Sequence, residues 1–218
     1  MTIMKKSCIA ILLLIAAPYL FSQTKYPDPE FNNEVYYLKK DSVNTVVRLE
    51  KNSSKTDNKT KAAGFGGIEN AYEIEGERSS VRFASGTNLS FIFSNGASSV
   101  TPNHTRDSIM RANGMDPSMA QSMGGGFMDP GNQISLYKTE TGKNKRRIIL
   151  QKIGGAFGSK KPTSSDKFTF SVKKIRDGYW ELVVDKPLAK GEYAFTMTDM
   201  TNVGSINAGP LVFAFAID

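Results

Sequence analysis

Phe168-Thr-Phe-Ser-Val-Lys-Lys-Ile175, then Arg176-Asp177-Gly178, then Tyr179-Trp-Glu-Leu-Val-Val-Asp185 is the stretch that decides the fold. Phe168, Phe170 and Val172 alternate with Thr169, Ser171 and Lys173, the period-two pattern of a half-buried strand. Asp177-Gly178 supplies positive-φ positions for a tight hairpin turn. Trp180, Leu182 and Val184 then alternate with Tyr179, Glu181 and Val183 on the return strand. Pro187 and Gly191 punctuate the next connection, and Tyr193, Phe195 and Met197 open a further strand.

The same pattern recurs along the chain. Glu34–Lys39 and Asn44–Glu50 read as a hairpin around Lys40-Asp41-Ser42. Ala71–Glu75, Ser80–Ala84 and Asn88–Phe93 read as strands separated by Gly-containing turns. Gln133–Lys138 and Arg146–Lys152 form another hairpin, and Leu211–Ile217 a terminal strand. About ten short strands with almost no helical periodicity predict an all-β fold, an antiparallel β-sandwich of Greek-key, immunoglobulin-like type. The absence of a fixed repeat argues against a propeller or solenoid.

Three segments interrupt the strands. Thr24–Asn33, with Pro27 and Pro29, reads as an extended leader. Residues 51–61 are almost wholly polar and read as a loop or short linker. Residues 94–132 are long and rich in Gly and Met. They contain two possible helical turns, at Asp107–Asn113 and Asp116–Met123, and a connection of this length is usually functional or disordered.

The first residues read as an address. Lys5 and Lys6 precede an apolar run, Ile9–Phe21, too short for a comfortable membrane span, so residues 1–23 are expected to be a secretory signal peptide. Cys8 is the one cysteine of the chain and lies before that run, so the exported form has no disulfide. Residues 24–218 are enough for a single β-sandwich domain, with 51–61 and 94–132 as its loops. The 218-residue chain has a formal charge of +7; losing Lys5 and Lys6 takes 28 basic residues to 26 against 21 acids, or +5. That mild excess does not imply nucleic acid. The expected location is the periplasm, the cell surface or outside the cell, with no transmembrane segment after cleavage.

Asp129-Pro130, Ile134–Lys138, Lys145-Arg146-Arg147, Lys167–Phe170, Pro187-Leu188, Gly191–Phe195 and the ending Val212–Asp218 resemble a C-terminal β-module of exported bacterial envelope proteins. The resemblance covers about residues 133–218. It implies an envelope setting and a β-fold, and carries no catalytic residues.

Enzyme signatures are sparse. His104 is the one histidine, so any Ser-His-Asp or Cys-His site would need it, and no Gly-x-Ser-x-Gly elbow occurs. Neither a phosphate-binding loop nor a zinc-ligand set is present, and no cofactor is expected. A carboxylate-based glycan hydrolase is the enzymatic alternative, because spatial pairs of acids are invisible in sequence.

Two features point to binding instead. Met110, Met115, Met119, Met123 and Met128 crowd one loop. They read as adaptable filler, as a partner-binding surface, or, with Met119, Met123 and His104, as a Cu(I) site, since soft thioethers select that ion. Lys145, Arg146 and Arg147 head a basic hairpin facing a single nearby acid, Glu140. They are candidate contacts for an envelope protein, an anionic glycan or a lipid headgroup, or else a solvated, lysine-guarded edge. Aromatics do not interleave with these charges, which argues against nucleic acid. Ser42 and Ser108 sit in Asp-Ser-aliphatic triplets, candidate O-glycosylation sites. The expectation is therefore an exported interaction protein, with a hydrolase or a small-ligand or Cu(I) module as alternatives.

Overall fold

The computed structural model describes residues 26–61, 67–85, 89–96, 111, 129–154, 163–197 and 208–218. These residues form antiparallel sheets packed face to face, as the alternation predicts, with one parallel pair among them.

The deciding hairpin lies at one edge of a five-stranded sheet. Its arms are β12 (Phe170–Arg176) and β13 (Tyr179–Val184), and the sheet continues through β6 (Ser90–Ser94), β1 (Glu34–Lys39) and β2 (Thr45–Arg48). Gly178 takes the positive φ, +69°, that its turn needs. Trp180, Leu182 and Val184 face the core, and Tyr179 and Glu181 face away from it; both groups are buried.

The second sheet closes on itself. Its path runs β9 (Lys145–Ile153), β4 (Gly67–Glu75), β3 (Glu50–Lys61), β15 (Ala208–Ile217), β14 (Gly191–Met197) and β7 (Ile134–Lys138). One residue past β7, at Thr139, the chain continues as β8 (Glu140–Gly142), which pairs with β9. The two arms of the sheet are thereby joined into a six-membered ring. The short strands β10 (Thr163–Ser164), β11 (Lys167–Phe168) and β5 (Arg82–Phe83) flank it, β5 lying parallel to β15. A four-residue helix, α1 (Pro130–Gln133), leads into β7; Asp129 caps it by accepting from the Gly131 N–H, and Pro130 takes the first turn.

The ring explains why β14 and β15 read as nearly continuous apolar runs. Tyr193, Phe195, Phe213 and Phe215 point into the core between the sheets. Ala194, Val212 and Ala214, on the alternate positions, point inside the ring against Ile74 and Ile148. Both faces are buried, and a six-stranded ring is narrow, so β14 and β15 bring the small residues Ala194, Val212 and Ala214 to an inner face that also holds Ile74, Ile148 and Arg146. The packing is close at Gly209, where an added Cβ would lie 2.3 Å from Ser54 Oγ.

The expected polar loop at 51–61 is corrected: it is β3, paired with β15 on one side and β4 on the other. Composition misleads here because the strand's outer face is a ladder of charges and its inner polar groups find partners. Asp57 meets Arg147, Lys55 meets Glu75, and Ser54 Oγ donates to the Pro210 carbonyl. The strand candidate at 80–84 shortens to two residues, and the helical turn expected at 107–113 lies outside the described residues except for Arg111, which is helical and exposed.

Candidate interaction surface

Lys145, Arg146 and Arg147 all lie on β9, but not as a free basic patch. Arg146 sits opposite Ile74 and Thr141 and points inside the ring, with 0% of its surface exposed. Its Nη2 donates to Glu50 Oε1 at 2.6 Å and to the Glu75 carbonyl at 3.2 Å; its Nε donates to the Gly76 carbonyl at 3.1 Å; its Nη1 lies 3.8 Å from Glu192 Oε2. Arg147 points outward into Asp57 (2.8 Å) and Glu69 (2.5 Å), Lys145 reaches Glu73 (2.5 Å), and Lys152 reaches Glu140 (2.7 Å). The expectation of docking through this run is corrected for Arg146, which is inside the protein, and weakened for Arg147, which is spent on two carboxylates. The sequence hides this because Glu50 and Glu192 are brought to Arg146 only by ring closure.

The same carboxylates hold a loop. The Ser79 N–H donates to Glu192 Oε2 and the Ser80 N–H to Glu50 Oε2. Arg82 bridges Glu192 and Asp218. Residues 76–83 are thus clasped over one end of the ring. Burial raises the Glu50 carboxyl, but hydrogen bonds from Arg146, Ser79, Asn52 and the Ser80 N–H outweigh it and hold it below the usual carboxylate range. Glu34 follows the same pattern, with burial overcome by Arg48 and Lys51, and so does Glu181, with Lys40, Tyr26 and Ser90. Asp57 is lowered against burial by Lys59 and Arg147. A glycosidase acid needs the opposite shift, a carboxyl raised toward neutrality.

These depressed carboxyls predict acid lability. Their folded pKa lies below the unfolded value, so their contribution is complete above the unfolded range, about 4 to 4.5, and is lost as pH falls through the lower folded values. Scanning calorimetry is expected to show a steep loss of Tm below about pH 4.5. A flat Tm down to pH 3 would mean that the ion pairs contribute nothing net.

The outer face of the five-stranded sheet is covered by the leader. Tyr26 donates to Glu181 Oε2 at 2.8 Å and packs edge-on against Tyr179, whose hydroxyl donates to the Pro27 carbonyl. Arg176 pairs with Asp28 and stacks on Tyr179, and the Phe31 N–H donates to the Tyr36 hydroxyl. Burial first, then the bond to Glu181, pushes the Tyr26 hydroxyl up to about 12. Glu181 therefore has a local role: it anchors the leader, helped by Lys40 at 2.5 Å.

Among the described residues the two end strands of this sheet, β12 and β2, each pair on one side only, and they differ. Strand β12 carries Lys173, Lys174 and Arg176 and a register irregularity between Lys174 and Arg176, and both are devices that discourage edge pairing. Strand β2 reads Thr-Val-Val-Arg, holds an unbroken register with β1, and has no lysine or proline. Val47 is 39% exposed and Val43, just before it, 72%. The cations around β2 are each held by an in-chain carboxylate: Lys39 by Asp41, Lys40 by Glu181, and Arg48 and Lys51 by Glu34. Phe31, 43% exposed, lies beneath the Arg48 guanidinium. Three of the exposed large hydrophobics thus gather at an edge left unpaired among the described residues, a feature that residue-by-residue reading missed because Val46 and Val47 pass for ordinary strand residues.

Met110, Met115, Met119, Met123, Met128, His104 and Ser108 lie outside the described residues. Ser42 is exposed in the bend at 41–43. Among the described residues, no cluster of three or more His, Cys, Asp or Glu could hold a metal, and no helix is long and apolar enough to cross a membrane. No protein-family model, curated protein or solved structure matches the chain.

Proposed function

We propose that the chain is an exported, non-catalytic interaction protein of the bacterial cell envelope that binds by adding a partner's extended strand to β2. The observation that carries this is that, among the described residues, β2 pairs only with β1 and has Val43, Val47 and Phe31 exposed beside it. Main-chain hydrogen bonds along such an edge supply affinity, and alternate side chains supply selectivity. The basic run and apolar segment at residues 5–21 support export, and the resemblance of residues 133–218 supports the envelope setting. The depressed carboxyls weigh against the hydrolase alternative.

The test is cross-linked capture from native envelopes with wild type and with Val47→Lys, an exposed substitution that should leave the fold intact. A stoichiometric partner is expected with wild type and is lost with the variant, and the amides of Thr45–Arg48 become protected from hydrogen exchange in the complex. Equal capture by both proteins, with no added protection at β2, overturns the proposal.

A further inference from the structure

We infer that the ring binds a neutral oligosaccharide at the mouth opposite Arg146. The inference concerns the second sheet and is independent of the β2 edge.

Strand β8 closes the ring at residues 145–147 of β9. Toward Ile153 the strands part: β9 pairs with β10, and β7 with β11. Strand β3 also outruns β15 at this end. Its pairing with β15 stops at Lys55, so among the described residues 56–60 pair with β4 alone. The ends of β3, β4 and β9 thus project past the packed interior, and their inner face lines a mouth. Mouths of β-barrels are a preferred place for ligands.

Alternation sorts the side chains here by charge. Outward, Lys55 pairs with Glu75, and Asp57 with Lys59 and Arg147. Inward, the same strand carries Thr56, Asn58 and Thr60, all exposed. Asn58 lies opposite Asn70, and Asn70 opposite Gln151, so three carboxamides cross the mouth in one row. Asn70 Nδ2 donates to Gln151 Oε1 at 3.5 Å. The next row outward sets Thr60 against Ile68 and Ile68 against Ile153. These isoleucines are 44% and 37% exposed. The row beneath holds Tyr72, which packs against the apolar cluster inside the ring. Gly209 leaves room for it, since an added Cβ would lie 3.0 Å from Tyr72 Cδ1.

A packed ring end would be apolar, and a solvated face of these strands is charged, as the outward one is. The inward face is neither. Carboxamides and hydroxyls set side by side offer alternating donors and acceptors, which is what neighbouring sugar hydroxyls need. Ile68, Ile153 and the Tyr72 ring offer apolar surface for the C–H face of a pyranose. With no charged residue in these three rows, nothing repays the desolvation of a uronic acid or a phosphate, so the face selects a neutral sugar.

The experiment titrates the purified exported protein with maltohexaose, cellohexaose and chitohexaose, and with hexagalacturonic acid as the anionic comparison. Calorimetry reads binding, and NMR reads the side-chain amides. At least one neutral sugar is expected to bind and to shift the amide signals of Asn58, Asn70 and Gln151. Asn58→Ala, at an exposed position, is expected to weaken that binding about five- to tenfold, the worth of one hydrogen bond, with an unchanged backbone spectrum. Silence from all three neutral sugars at about 5 mM, where even a millimolar dissociation constant would register, overturns the inference. So does tighter binding of hexagalacturonic acid, or binding that leaves the three amide signals in place. None of these outcomes bears on β2, whose test reads envelope capture.

Discussion

Arg146→Met is expected to cost about 3–5 kcal/mol of folding stability, read as a fall in the urea midpoint at unchanged slope. Arg146 has no exposed surface, and its guanidinium serves Glu50, Glu192 and the carbonyls of Glu75 and Gly76. Removing it leaves two carboxylates facing one end of the ring without their shared cation, and takes away a donor from two carbonyls. That is the costly way to break a buried ion pair. Arg146→Lys keeps the charge but cannot reach all four partners, so it should recover only part of the loss. Adding Glu50→Gln to Arg146→Met should also recover part, because the two residues interact directly and their effects will not add. A loss under about 1 kcal/mol would show that the ring end stays wet and that the network is dispensable.

Phe215→Ala is expected to cost a similar amount, about 3–5 kcal/mol, by a different route. Phe215 is fully buried, and its ring centroid lies 5.1 Å from Phe91, 5.7 Å from Tyr193, 5.9 Å from Phe195 and 6.0 Å from Phe83. These rings come from both sheets, so the truncation opens a cavity at the point where the sheets are joined. Phe215→Leu should cost less, because leucine refills part of that volume. Chemical denaturation reads both. Near-UV circular dichroism should weaken in the alanine variant as the aromatic cluster loosens. A cost below about 1.5 kcal/mol would mean that the surrounding rings collapse into the gap.

Both predictions depend on one event, the closing of the second sheet. The dominant strands were legible before it was known. Trp180, Leu182 and Val184 face the core as their alternation requires, and Tyr193, Phe195 and Met197 do likewise. The β14 and β15 runs were legible as strands, but the sharing of their residues between two faces was not. A run such as Leu211-Val-Phe-Ala-Phe-Ala-Ile217 has the same composition whether one face is buried or both.

The polar groups were read least well. Residues 51–61 have the composition of a linker, yet they are the central strand between β4 and β15. Lys145-Arg146-Arg147 has the composition of a docking patch, yet Arg146 is among the largest fully buried side chains of the described residues. The cause is the same in both cases. The free energy of a charged group depends on what faces it, and here the acids that meet Lys55 and Arg146, Glu75 and Glu50, lie 20 and 96 residues away along the chain. The β2 edge shows the converse. Its four residues look like any buried strand, and only the strand order reveals that, among the described residues, β2 pairs on one side alone.

Local alternation, turn residues and the apolar segment near the N-terminus were thus enough to establish an all-β chain, most of its strands and an expectation of export, because those features depend on neighbours within a few residues. Tertiary structure alone decided which sheet closes, which arginine goes inside, which carboxylates are engaged and which strands end the five-stranded sheet. Each of these is a pairing between distant segments, and burial and charge neutralisation act on the pair rather than on either residue alone.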